Sequence, residues 1–382
     1  MQIGVPKEIK NHEYRVGITP AGVKELTASG HSVVVETNAG SKIGFSDFDY
    51  ENAGAKILAS AKEIYQSEMV VKVKEPQPVE CSYLYDSQLL FTYLHLAPDP
   101  VLTKSLVDSG VIGIAYETVT DKQGRLPLLT PMSEVAGRIA IQAGASALQM
   151  AGGGRGVLLG GVPGVSPGEV VIIGGGVVGT QAARMAVGLG ARVTILDINV
   201  DRLRYLDDIF QGSLVTEFAS QDAIEKAVQR ADLVVGAVLI PGKQAPKLLT
   251  AQHIKSMKNG AVFVDVAIDQ GGCAETSRAT THADPTYVVD DVVHYCVANM
   301  PGACARTSTL ALTNVTLPYV KSLANNGLLN AFSADQGLLE GLNIYKGQVT
   351  NEAVANDLGY ACASKESIMK DLMGGVAVRN VS

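Results

Sequence analysis

An α/β architecture with two doubly wound, mainly parallel sheets is the fold class that this sequence predicts. Three observations carry that expectation. Val/Ile-rich runs alternate with helix-like segments, a Gly-x-Gly-x-x-Gly turn at Gly174–Gly179 lies between a strand-like and a helix-like run, and the pattern turns helical beyond Arg306. A chain of 382 residues is also too long for one ordinary core and suits two domains.

In order, Gln2–Val5 reads as a strand, Pro20–Ser29 as a helix closed by Gly30, and His31–Glu36 as a Val-rich strand. Ala61–Ser67 reads as a short helix before the strand Met69–Val73. Leu89–Leu94 and Val111–Tyr116 read as strands on either side of the helix Pro100–Ser109. Thr130-Pro131-Met132-Ser133-Glu134 is a helix-start signature leading into Val135–Met150, and the Gly/Pro-rich stretch 152–168 reads as a crossing loop. A second series follows, with strands at Val170–Ile173, Arg192–Leu196, Leu233–Leu239, Ala261–Ile268 and Tyr287–Val289. From Thr307 the tail carries almost no strand signal. It is read as returning to complete the first domain, so that residues 1–128 with 306–382 form a discontinuous substrate domain around a nucleotide domain at 129–305.

Composition narrows the function. The apolar fraction of 47% against 18% charged describes a globular protein, and a net charge of -7 without a basic run gives no electrostatic footprint for nucleic acid. The N-terminus lacks a signal-peptide pattern, and no stretch reaches roughly 18 apolar residues, so neither export nor membrane insertion is expected. Five scattered cysteines without a C-x-x-C pair argue against disulfides and zinc and for reduced thiols in a cytoplasmic protein. No His/Asp/Glu/Cys spacing suggests any metal site.

The glycine turn carries the strongest chemical signal. Val170–Ile173 precedes it, a helix at Val177–Leu189 follows, and the next strand ends at Asp197, 18 residues past Gly179. This is the context of the Rossmann dinucleotide fingerprint. Gly174 makes the tight turn, Gly176 lets backbone amides reach a pyrophosphate, Gly179 allows close helix–strand packing, and the helix N-terminus favours phosphate. Asp197 can accept bonds from both adenosine-ribose hydroxyls and repels a 2′-phosphate, so the expected cofactor is NAD.

Ligands of open α/β sheets bind beyond the carboxyl ends of the strands. By that rule Lys74, His95, Glu117 and Asp269, each placed after a strand, face one cleft. Each also has a plain alternative: Lys74 as a solvated strand end, His95 as a core histidine, Asp269 as a turn cap. Arg15 on its own is indistinguishable from a surface arginine. His12, His31 and His253 read as surface positions, while His282 and His294 stay open as cleft residues.

Several segments together carry a family resemblance. They are Val5-Pro6-Lys7-Glu8, Arg15–Pro20, Val71-Lys72-Val73-Lys74-Glu75-Pro76, Leu94-His95-Leu96-Ala97, Pro131–Arg138, Val264–Gly272 and Val297–Gly302. In this order, over nearly the whole chain, they resemble bacterial alanine dehydrogenases; the first two are shared more loosely with transhydrogenase NAD-binding subunits and saccharopine dehydrogenases. The resemblance implies reversible oxidative deamination of L-alanine to pyruvate and ammonium through an imine and carbinolamine. It implies Arg15 and Lys74 as substrate-binding residues and His95 and Asp269 as acid/base groups. Around NAD it implies Ser133, Gly174, Gly176, Val177, Val178, Gly179, Asp197, Arg202, Val238, Leu239, Val266, Ala267, Ile268, Asp269, Arg278, Val297, Ala298, Asn299 and Met300. It further implies a homohexamer. Ala219 departs from the pattern, standing where some relatives carry a serine near the adenine. The competing readings are a dehydrogenase for a larger amino acid and a transhydrogenase-like NAD-binding module without amine-dependent turnover.

Overall fold

The computed structural model of the chain describes residues 1–238 and 244–379. Its strands run, in chain order, β1 (Gln2–Val5), β2 (Ser32–Glu36), β3 (Lys56–Leu58), β4 (Met69–Val71), β5 (Leu89–Thr92), β6 (Ile112–Ala115), β7 (Glu169–Ile173), β8 (Arg192–Asp197), β9 (Val215–Phe218), β10 (Leu233–Gly236), β11 (Val262–Asp265), β12 (Thr286–Val289), β13 (Val292–Tyr295), β14 (Leu342–Tyr345) and β15 (Gln348–Val349). The chain divides into two compact units, Met1–Pro131 with Ala305–Ser382, and Met132–Cys304.

The first unit holds the sheet β15-β14-β6-β5-β4-β1-β2-β3. Strands β1 to β6 pair in parallel, so their carboxyl ends share one edge. The tail returns to this unit, but it is not wholly helical. Strand β14 pairs antiparallel with β6 and turns back into β15 through Lys346-Gly347. Both turn residues have positive φ, 45° and 83°, which is the geometry of a two-residue hairpin loop. Lys stands where Asn or Asp usually marks such a turn, so the hairpin carries a weak sequence signal.

The second unit holds the sheet β12-β13-β11-β10-β7-β8-β9, parallel except at the β12 edge. Successive residues of its central strands alternate between two cores. Val170, Ile172, Leu233, Val235, Val262 and Val264 face one core. Val171, Ile173, Val234 and Phe263 face the other. Burial on both faces is why these strands read as continuous apolar runs. Two strands end earlier than expected. Strand β10 stops at Gly236, and β11 stops at Asp265 because its side chain accepts the Ala267 N–H at 3.0 Å and starts a 3-10 helix, Val266–Gln270. Asp269 therefore lies in that helix and not directly after a strand.

Directly past β4, Lys72 is fully buried, with Nζ donating to Glu8 Oε2 at 3.1 Å and Glu80 Oε1 at 2.8 Å. Burial opposes its charge, but the two carboxylates outweigh that and raise its pKa. Burial meanwhile pushes the Glu8 carboxyl up, against the pull of Lys72. Removing the cation alone would leave two buried carboxylates uncompensated. Lys72→Met is expected to lower unfolding free energy by about 3–5 kcal/mol at neutral pH, read as a fall in urea midpoint. The deficit should narrow on acidification, because protonation of Glu8, whose carboxyl burial already pushes up, relieves it in the folded state.

Candidate active site

In the first unit, the residues that follow β1, β4, β5 and β6 collect at one sheet edge. Gly17 packs so closely on the end of β4 that a Cβ there would lie 2.5 Å from the Val71 carbonyl oxygen. This seats the Arg15–Thr19 segment beside the turn that carries Lys72 and Lys74. Arg15 is no surface arginine: it is 2% exposed, donating from Nε to Glu13 Oε1 at 2.7 Å and from a terminal nitrogen to Oε2 at 2.5 Å. Burial opposes its charge, but the fork of bonds to Glu13 raises its pKa. Lys74 is half-buried, its backbone held by Glu8 Oε1, which accepts the Val73 and Lys74 N–H groups at 2.7 and 3.3 Å.

His95 lies three residues beyond the end of β5, in the left-handed region at φ 49°. That conformation is uncommon for a non-glycine residue. Glu117 accounts for it: Oε1 accepts the Leu94 N–H at 3.1 Å and the His95 N–H at 2.6 Å, and Oε2 accepts Leu94 at 3.2 Å. The imidazole is exposed, with Nδ1 3.7 Å from Glu75 Oε2 and its ring 5.8 Å from that of Tyr93. Glu75 Oε1 accepts a bond from Lys10. Burial would raise the Glu75 carboxyl, but His95, Lys74 and Lys10 pull it well below the usual carboxylate range.

In the second unit the glycine turn has little freedom. Gly174 has φ 106°, and a Cβ there would meet the Ala237 carbonyl oxygen at 2.7 Å. A Cβ on Gly179 would lie 1.8 Å from the Gly174 carbonyl oxygen, whereas one on Gly176 would meet nothing within 4 Å. The helix Val177–Gly188 starts after Gly176 with no side-chain cap, so its first amides, including those of Val177 and Val178, have no acceptor from a capping side chain. Asp197 Oδ2 accepts the Gly175 N–H at 2.7 Å and Oδ1 accepts Asn199 N–H at 2.8 Å, leaving each oxygen a further lone pair. Arg202 closes the turn, donating to the Gly175 carbonyl at 2.5 Å and Thr180 Oγ1 at 2.6 Å. These features fit a dinucleotide: an uncapped helix end for phosphate, room at Gly176, and a carboxylate for ribose hydroxyls.

Other expected cofactor residues follow neighbouring strands. Val238 comes two residues after β10, and Val266, Ala267 and Ile268 form the 3-10 helix after β11. Asp269 is exposed, and its Oδ1 accepts the Asn299 N–H at 3.2 Å. That contact joins the 3-10 helix to Val297, Ala298, Asn299 and Met300, which follow β13. Arg278 lies over the Tyr287 ring at 3.9 Å. Ser133 is half-buried one turn before Gly137, where a Cβ would lie 2.2 Å from the Val178 carbonyl oxygen. Leu239 lies outside the described residues.

Not every candidate belongs here. His294, open as a cleft residue on sequence grounds, is fully buried in β13; it bonds Thr276 Oγ1 at 2.9 Å and the Val292 carbonyl at 3.0 Å and stacks on Tyr287. It is a satisfied core histidine. His282 bonds the carbonyl oxygen of Asn299 at 3.1 Å, the residue whose amide Asp269 accepts. Glu8, Glu13, Glu75 and Asp265 were missed by sequence reasoning. Their signal was an acid beside a candidate or at the end of an apolar strand, which a solvated face gives equally well. Among the described residues no group of His, Cys, Asp and Glu could hold a metal ion, and no helix is long and apolar enough to cross a membrane.

Comparison with known proteins agrees over almost the full length. The models for alanine dehydrogenase/PNT match at residues 4–136 for the N-terminal domain and 140–352 for the C-terminal domain. The alanine dehydrogenase of Halomonas elongata is 57% identical over 370 residues, covering 97% of this chain and 100% of the relative. That of Bacillus subtilis is 58% identical over 373 residues, covering 97% and 98%. A solved L-alanine dehydrogenase superposes with a TM-score of 0.92 at 55% identity, covering 94% of this chain and 99% of that one. With its paired sheets, its glycine turn and this near-complete likeness, the chain belongs to the alanine dehydrogenase/PNT family.

Proposed function

We propose that the chain catalyses L-alanine + NAD⁺ + H₂O ⇌ pyruvate + NH₄⁺ + NADH + H⁺. The observation that carries this reading is the edge of the first sheet, where Arg15, Lys74 and His95 follow neighbouring parallel strands. A buried guanidinium, a half-buried ammonium and an exposed imidazole are a set suited to a 2-oxo acid and its amine. The relatives named above, similar over their full length, are alanine dehydrogenases.

Arg15, its fork oriented by Glu13, binds the substrate carboxylate. Lys74 contributes a second cation that polarises the carbonyl or imine oxygen or nitrogen at C2. His95 moves protons to and from the carbinolamine, since an imidazole can both donate and accept a proton. Asp269, accessible and already oriented by Asn299, holds the attacking water and the amine. When bound, NAD⁺ supplies the hydride acceptor. The amides of Val177 and Val178, beside Gly176, hold its pyrophosphate, and Asp197 accepts its adenosine-ribose hydroxyls and disfavours a 2′-phosphate. Ser133, Arg202, Val238, Leu239, Val266, Ala267, Ile268, Arg278, Val297, Ala298, Asn299 and Met300 complete the cofactor surroundings. On this reading residues 1–128 with 306–382 serve the substrate and 129–305 the cofactor. The proposal extends to a cytoplasmic homohexamer, for which sedimentation velocity should give the mass of six chains.

NADH oxidation with ammonium should be fastest with pyruvate and slower with 2-oxobutyrate, glyoxylate or 2-oxoglutarate; turnover at background with pyruvate would refute the assignment. A transhydrogenase-like module predicts no ammonium-dependent oxidation of NADH at all. His95→Ala and Asp269→Asn should each lower kcat by about 100-fold or more while NADH binding, followed by fluorescence, persists. Asp197→Ala should weaken NADH binding and narrow the preference over NADPH by at least about tenfold, measured as the ratio of kcat/KM values.

A further inference from the structure

We propose that Glu75 is a positioning residue for His95, its carboxylate holding the imidazole by Nδ1 so that Nε2 is the atom that exchanges protons with substrate. The inference rests on the acid/base reading of His95 given above. Glu75 is 12% exposed, and its Oε2 is buried without a hydrogen-bond partner, although Oε1 is engaged by Lys10. A buried carboxylate oxygen left unpaired is costly and calls for a reason. The reason on offer is His95 Nδ1, 3.7 Å away. That separation is an ion-pair distance, longer than a hydrogen bond. Catalytic hydrogen bonds commonly tighten when substrate arrives.

The backbone makes Glu75 the effective lever on the ring. Glu117 pins the His95 N–H at 2.6 Å and fixes the left-handed φ, which leaves the side-chain torsions as the remaining freedom. Tyr93 flanks the ring, and its hydroxyl is engaged elsewhere, donating to the Leu128 carbonyl at 2.6 Å. The charged groups around the imidazole are thus Glu75 at Nδ1, Glu117 at the backbone, and Lys10 and Lys74, which act on Glu75. His95, Lys74 and Lys10 together hold the Glu75 carboxyl well below its usual range, which favours its anionic form. An anion at Nδ1 fixes the tautomer with the proton on that nitrogen and stabilises the imidazolium formed during turnover.

The test uses the full chain in the pyruvate–ammonium–NADH direction. Glu75→Gln keeps the volume and an acceptor but removes the charge. It should lower kcat by about tenfold, leave NADH affinity within about twofold, and move the imidazole limb of the kcat/KM pH profile to lower pH by about one unit. Lys10→Met, at a half-exposed position, removes a cation that offsets Glu75 and should move the same limb to higher pH. A folded Glu75→Gln protein with wild-type kcat and an unshifted limb overturns the proposal, and so does a Lys10→Met profile that stays in place or moves downward. If Glu75→Gln does not fold, the Lys10→Met profile decides alone. Wild-type protein without ammonium-dependent turnover would instead refute the function on which the proposal rests.

Discussion

Where a parallel strand leaves its sheet, the amides beyond its last ladder bond lose their partners, and a buried amide without an acceptor is expensive. This chain meets that constraint with carboxylates. Glu8 takes the amides of Val73 and Lys74, Glu117 those of Leu94 and His95, Asp197 those of Gly175 and Asn199, and Asp265 those of Ala267 and Cys273. Each carboxylate fixes an irregular stretch of backbone, and a proposed functional residue stands in or beside that stretch. Geometry that a loop would otherwise leave loose is thereby set by charge-assisted bonds, roughly twice as strong as neutral ones.

The same acids shape the electrostatics. Glu8 and Glu80 neutralise Lys72 under the strand end, Glu13 orients the buried Arg15, and Glu75 lies between Lys10 and His95. Each cation at this sheet edge thus comes with its own anion or anchor, which lets positive charge be kept at a partly buried edge. In the second unit the logic inverts: the uncapped helix end after Gly176 presents partial positive charge, while Asp197 spends its oxygens on the amides of Gly175 and Asn199. The two units therefore differ in chemistry while sharing a way of ending strands.

Much of this was legible in the residues. The Gly174–Gly179 spacing, its flanking strands and Asp197 announced the nucleotide turn, and both-face burial made the second unit's strands conspicuous as apolar runs. Less was legible where a polar side chain replaces a ladder bond. The end of β11 was read through to Ile268 because Val266, Ala267 and Ile268 are apolar, whereas the Asp265 cap bends them into a 3-10 helix. The β14–β15 hairpin hid behind a Lys346-Gly347 turn and a second strand of only two residues. Arg15 on its own could not be told from a surface arginine because its partner, Glu13, is two positions away, a spacing that solvated charges also show. His294 kept its place among candidates because nothing in its neighbourhood spells out a stack on Tyr287.

The claim that carboxylates fix the irregular backbone at the strand ends is open to a direct measurement. Hydrogen exchange should be followed through residues 89–98 in the wild-type protein and in Glu117→Gln. Loss of the charge-assisted bonds should speed exchange at the Leu94 and His95 amides by about tenfold or more. The ladder amides of β5 should stay protected. Unchanged exchange at Leu94 and His95 in a folded variant would contradict the account.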